Sequence, residues 1–170
     1  MLDNCIIDEK ENDVKLTAED QLELLQLQHL YGHVLDALLW DKLDEVFAPD
    51  GVFDPSDVGL PVMRGIDEIR EKLIPIVEGE NKEKLHNHIG TNPAIVGFGE
   101  NGIVKMRCKY IIAGERDYLS FGEYLDDCIK TDKGWRFLYR KTKRITAYTV
   151  QHIKDAPRYT PEDRARADKN

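Results

Sequence analysis

The chain has 170 residues, 41% of them hydrophobic and 33% charged, and a net charge of −8. That length can bury one sizeable core but not two full domains, and the acidic balance argues against nucleic acid or an anionic membrane surface as partner, since both select basic faces. No apolar run approaches the ~20 residues of a membrane span, the opening residues lack a secretory signal, and three cysteines without a Cys-x-x-Cys pair suit reduced thiols, so the expectation is a cytoplasmic protein without a disulfide framework.

In chain order, residues 1–16 read as a polar arm, 17–150 as one domain and 151–170 as a tail. Thr17-Ala18-Glu19-Asp20 has the form of a capping box, and Leu24, Leu27, Tyr31, Leu35 and Leu38 make an apolar helical stripe after it. The spacing predicts a second short helix over Trp40 to Phe47, closed by the turn residues Pro49-Asp50-Gly51. A third covers Gly65 to Val77, with Ile66, Ile69, Leu73 and Val77 on one side and Pro75 expected to disturb its last turns. Alternating segments follow at 86–98, 103–113, 119–131 and 135–148, split by Gly99-Glu100-Asn101-Gly102, Gly114-Glu115 and Asp132-Lys133-Gly134. Helices followed by an antiparallel meander predict an α+β domain.

Few residue types in this pattern can carry chemistry. Asp36 ends an otherwise apolar helix, where a carboxylate needs solvent or a partner; on an ideal helix it lies ~140° around the axis from Tyr31. His86 and His88, two apart, share a face if their segment is a strand. Two imidazoles are too few for zinc, so no metal is expected, and a histidine held by a carboxylate, with one nitrogen left as general base, is the better reading. Arg144 sits in a cationic run at the end of the last strand, where alternation groups Trp135, Phe137 and Tyr139 on one face and Arg136, Leu138, Arg140 and Arg144 on the other unless a bulge intervenes. Cys108 reads as a small core residue. No phosphate-cradling, dinucleotide-binding or Gly-x-Ser-x-Gly motif occurs.

Taken together, Tyr31-Gly32-His33-Val34-Leu35-Asp36, Trp40-Asp41-x-Leu43, Phe47-Ala48-Pro49-Asp50-Gly51, Gly65-x-x-x-Ile69, His88-Ile89-Gly90-Thr91-Asn92-Pro93 and Gly134-Trp135-Arg136-Phe137 resemble, in order and spacing, the SnoaL-like branch of the nuclear transport factor 2-like superfamily. The resemblance implies a cone-shaped fold, a curved antiparallel or mixed sheet packed on the N-terminal helices around an apolar pocket. It is similar in functional pattern to the scytalone dehydratase, bile acid 7-alpha dehydratase and hexachlorocyclohexane dehydrochlorinase group. That likeness implies a dyad of Asp36 and His88, with Tyr31 and Arg144 as further catalytic groups and His86, Asn92, Tyr110 and Trp40 as candidate substrate contacts. A further pocket tyrosine of the bile acid enzyme falls at Pro55 here.

The activity so implied is an elimination that needs no metal or organic cofactor: His88 takes a proton from carbon while hydroxide or halide leaves the neighbouring carbon of a small, mostly apolar substrate. Isomerisation or cyclisation in the same pocket, and a binding or dioxygenase small-subunit role, are the alternatives. The resemblance also implies a homodimer or homotrimer.

Overall fold

Thr17 begins the first helix in the manner of a capping box: its hydroxyl accepts from the Asp20 amide at 3.0 Å, and the Asp20 carboxylate accepts from the Thr17 amide at 3.0 Å. The computed structural model describes residues 15–81, 86–114 and 119–148, with the backbone alone at 80, 81, 86 and 146–148. The terminal regions expected as arm and tail therefore lie outside the described residues, apart from Lys15 and Leu16. Helix α1 (Ala18–Asp36) buries Leu24, Leu27, Tyr31 and Leu35. The predicted stripe stops there, because Leu38 lies past the helix end at φ +54° and its side chain is exposed.

The second predicted helix is a short 3-10 turn (Trp40–Glu45), and Phe47–Asp54 is strand β1. Pro49-Asp50-Gly51 does not end an element. Between the paired positions Phe47↔Phe137 and Val52↔Tyr139, the chain spends extra residues in a bulge. Pro49, which has no N–H to offer a ladder, is exposed in that bulge. A two-residue strand β2 (Met63–Arg64) pairs antiparallel with β1. Helix α2 (Ile66–Asn81) continues past Pro75. Pro75 and Glu71, whose carbonyl loses its partner, are both exposed, so water can take the lost hydrogen bond.

Strands β3 (His86–Phe98), β4 (Val104–Gly114), β5 (Leu119–Thr131) and β6 (Gly134–Tyr148) follow closely the segments read from alternation. The sheet order is β2-β1-β6-β5-β4-β3, with β1 parallel to β6 and the other pairs antiparallel. In β4, Val104, Met106, Cys108 and Tyr110 are buried and alternate with exposed lysines and Arg107. Strand β6 changes phase. Trp135 and Phe137 point inward, but Phe137 pairs with Cys128 and Tyr139 with Asp127, so Leu138 is an extra residue and the inward set resumes at Arg140 and Thr142.

Two acidic residues tie the helical layer and β1 to the sheet. Asp20 accepts from Lys130 Nζ at 2.6 Å and from the Trp135 indole at 2.9 Å, and Asp54 accepts from the Ser56 amide, the Tyr139 hydroxyl and Lys141. The bond from Lys130, with those from the Thr17 amide and Trp135, holds the Asp20 carboxyl well below the usual carboxylate range. Burial opposes ionisation at Asp54, yet its three donors outweigh it and lower that carboxyl too. Both groups titrate lower in the folded chain than in the unfolded one. The stability they supply is therefore complete above the ordinary aspartate value of ~3.9 and is lost as the pH falls below it. Thermal melts from pH 6 to pH 3 are expected to show Tm dropping on the acid side, less steeply in Asp20→Asn; an acid limb equally steep in that variant contradicts this account of Asp20.

Candidate functional site

Gly32 and Asp36 are four residues apart and so lie one above the other on α1. Strand β3 crosses that face at His88: a Cβ added to Gly32 would stand 2.6 Å from the His88 carbonyl oxygen. The close approach brings His88 under the Asp36 carboxylate, which accepts from the His88 amide at 2.8 Å and meets Nδ1 at 2.5 Å. With Asp36 ionised, Nδ1 carries the proton and Nε2 has the lone pair. Both side chains are sheltered but reachable, at 24% and 17% exposure.

The dyad lies on the wall of a cavity of about 190 Å³. Helix α1 supplies Tyr31, Leu35 and Asp36, β1 supplies Phe53, and Pro55, Val58 and Leu60 come from the connection after it. Leu73, Ile76 and Val77 of α2 close another side, and the sheet contributes His88, Ile112, Ser120, Tyr124 and Thr142. The walls are thus largely apolar with a few convergent polar groups, the composition of a small-molecule site. The Tyr31 ring stands nearly perpendicular to His88, centroids 6.1 Å apart, and packs edge-on against Phe47, Phe53, Tyr124 and Phe137. Burial pushes the Tyr31 phenol far above its ordinary value, so it remains a proton-bearing donor.

Beneath those rings is a buried ionic network. Arg140, with 0% exposure, gives Nε and Nη2 to the two Asp126 oxygens at 2.8 Å each and Nη2 to Gln28 Oε1 at 2.6 Å, while Gln28 Nε2 donates to Asp126 at 2.8 Å. Its guanidinium carbon lies 4.2, 4.3 and 3.7 Å from the ring centroids of Tyr31, Tyr124 and Phe137. The rings that wall the cavity are therefore backed by a buried ion pair whose charges offset each other.

Residues 16–141 match the family model described as a SnoaL-like domain. The chain belongs to this family. It is 29% identical over 129 residues to Rv2910c, an uncharacterized protein of Mycobacterium tuberculosis, an alignment covering 71% of this chain and 82% of the relative. A solved structure from Novosphingobium aromaticivorans, provisionally named an aromatic ring hydroxylase, is 25% identical, covers 79% of this chain and 96% of that one, and superposes with a TM-score of 0.66. Another from the same organism, provisionally named a scytalone dehydratase, is 17% identical, covers 78% and 91% of the two chains, and gives a TM-score of 0.62. Solved structures of this shape are described as nuclear transport factor 2-like with a cystatin-like fold, and the helices followed by a curved, open sheet agree with the architecture the sequence suggests.

Within this SnoaL-like domain, Asp36, His88 and Tyr31 meet at one cavity, but other residues singled out from sequence lie elsewhere. Arg144 is exposed and does not line the cavity; the Leu138 bulge leaves it in the same phase as Arg140, but of the two it is Arg140, four residues earlier on β6, that is buried. Asn92 is exposed at φ +53°, where the register between Thr91 and Ala94 slips and carries its side chain out of the inward phase. Tyr110 points inward, but it is covered, stacked on Tyr124 at 4.7 Å and seated over Gly122. Trp40 donates its indole N–H to Glu78 of α2 at 2.8 Å, outside the cavity lining. The side chain of His86 lies outside the described residues. Among the described residues no group of three His, Cys, Asp or Glu side chains is placed to hold a metal ion.

Sequence reading overlooked Ser120, Tyr124, Thr142 and the Arg140–Asp126–Gln28 network. A signal existed for part of it. Gln28 falls on the buried stripe of α1 between Leu24 and Tyr31, and Asp126 falls in inward phase between Tyr124 and Cys128; a polar residue at a core position asks for a partner.

Proposed function

We propose that this cavity carries out a proton-abstracting elimination on a small, mostly apolar carbonyl compound. The observation that carries the reading is the Asp36 carboxylate bonded to both the amide and Nδ1 of His88 at the edge of an apolar chamber. Nε2 of His88 takes the proton from the carbon beside the carbonyl. The released C–H pair forms the carbon–carbon double bond as hydroxide leaves the next carbon, and the proton passes from the imidazolium to that hydroxide, giving water. Asp36 holds the tautomer and stabilises the transient imidazolium, as carboxylates do in other histidine-based sites. Tyr31, protonated and lining the same cavity, is a donor for developing negative charge. The dehydratase name of one structural neighbour supports dehydration as the form of the reaction.

The experiment offers 3-hydroxycyclohexanone and 3-chlorocyclohexanone to the wild-type chain and to His88→Ala, and reads formation of the conjugated enone by ultraviolet absorbance. Enone formation by the wild type that is lost in the variant is expected; equal rates in the two overturn the assignment.

A further inference from the structure

The cavity contains hydroxyl groups that the dyad does not use. Three registered residues lie in one row across the sheet: His88 of β3 pairs with Ile112 of β4, and Ile112 pairs with Ser120 of β5. All three line the cavity. Two strand spacings of ~4.8 Å put the His88 and Ser120 backbones ~10 Å apart, with an apolar isoleucine between them. Four residues further along β5, in the same inward phase, Tyr124 also lines the cavity and pairs across to Thr142, whose hydroxyl-bearing side chain lines it too. Ser120 is 1% exposed and Tyr124 3% exposed, and neither hydroxyl has a hydrogen-bond partner among the described residues.

Native chains seldom bury a hydroxyl without a partner, since the group gives up its water for nothing. Two such groups at one cavity wall point to a partner that arrives with the ligand. We propose that Ser120 and Tyr124 form an oxygen-recognition subsite, which selects a ring compound bearing a carbonyl oxygen on the side of the cavity opposite His88. This rests on the reading of His88 as the base and names the substrate class for it: a cyclic ketone rather than a halogenated hydrocarbon of equal size. The separation suits such a molecule. With a contact of ~3 Å at each end, a carbon acid can meet His88 at its C–H and Ser120 at its carbonyl oxygen while its ring lies over Ile112. Burial also pushes the Tyr124 phenol upward, so it stays protonated and can donate. A halocarbon has no acceptor of comparable strength to offer these donors.

The probes are 1-indanone and indane, which share a bicyclic shape and differ in the carbonyl, each titrated into the full chain by calorimetry. Wild type is expected to bind 1-indanone at least ~10-fold more tightly. The preference is expected to shrink in Ser120→Ala and again in Tyr124→Phe, and to vanish in the double variant, with circular dichroism confirming the fold of each. Ser120→Ala removes a single oxygen, so it keeps the test open if the double variant does not fold. Equal binding of the two probes by wild type, binding of neither, or a preference that survives in Ser120→Ala and in every other folded variant overturns the subsite. The dyad fails separately: enone formation retained in His88→Ala refutes the base while the indanone preference stands or falls by itself.

Discussion

His88→Ala is expected to lower enone formation by about 10²- to 10⁴-fold, the usual worth of a positioned general base. Asp36→Asn should approach the same loss by a different route. An asparagine can present its amide N–H₂ to Nδ1, which then keeps its lone pair there and moves the ring proton to Nε2, so the nitrogen facing the substrate no longer accepts. The two residues act as one unit, bonded at 2.5 Å. Their effects should therefore not add: Asp36→Asn introduced into His88→Ala is expected to change the residual rate little, as in other dyads and triads. Steady-state kinetics of the four proteins measure this. Fully multiplicative losses would mean that Asp36 acts on the substrate by itself, not through the imidazole.

The second large effect is on stability. Arg140→Met leaves the Asp126 carboxylate fully buried with Gln28 as its remaining neutral side-chain donor among the described residues. Removing one partner of a buried ion pair costs about 3–5 kcal/mol, a large share of the ~5–15 kcal/mol by which domains are stable. At ~2–4 °C per kcal/mol for a chain of this size, Tm should fall by ~6–20 °C. The loss belongs to the orphaned charge more than to the missing contacts. Accordingly, Arg140→Met combined with Asp126→Leu should recover most of it, because apolar replacement of a whole buried pair is often neutral or better. Differential scanning calorimetry decides. A Tm drop under ~2 °C in the single variant, or no recovery in the double, would show that the guanidinium does not hold this charge in the folded state.

Much of the fold was legible because it rests on local rules. The Thr17 box, the Leu24 to Leu35 stripe and the four alternating segments up to Tyr148 each announce an element through capping or period. Strand β1 was not legible. Its Pro49-Asp50-Gly51 is turn chemistry by any local measure, and it becomes a bulge because β6 is present to pair on both sides of it.

The candidate site divides along the same line. Asp36, His88 and Tyr31 follow from the resemblance to the SnoaL-like family, whereas the ideal helix angle by itself sets Asp36 ~140° from Tyr31. Gly32 was the informative neighbour of Asp36, and its role appears once β3 is laid against α1 at His88. Arg144 and Arg140 share a phase on β6 with or without the extra residue at Leu138, and burial is what separates them: Arg140 is enclosed on Asp126 while Arg144 is exposed.

The capped start of α1, its buried stripe from Leu24 to Leu35 and the four segments that became β3 to β6 were determined by sequence alone, since each depends on neighbours within a few positions. Tertiary structure decided the meeting of Asp36 with His88 across 52 residues, the burial of Arg140 on Asp126, and the row that joins His88 to Ser120. Those contacts depend on strand register, and in a sheet a slip of one residue sends a side chain to the opposite face, which no local periodicity can foretell.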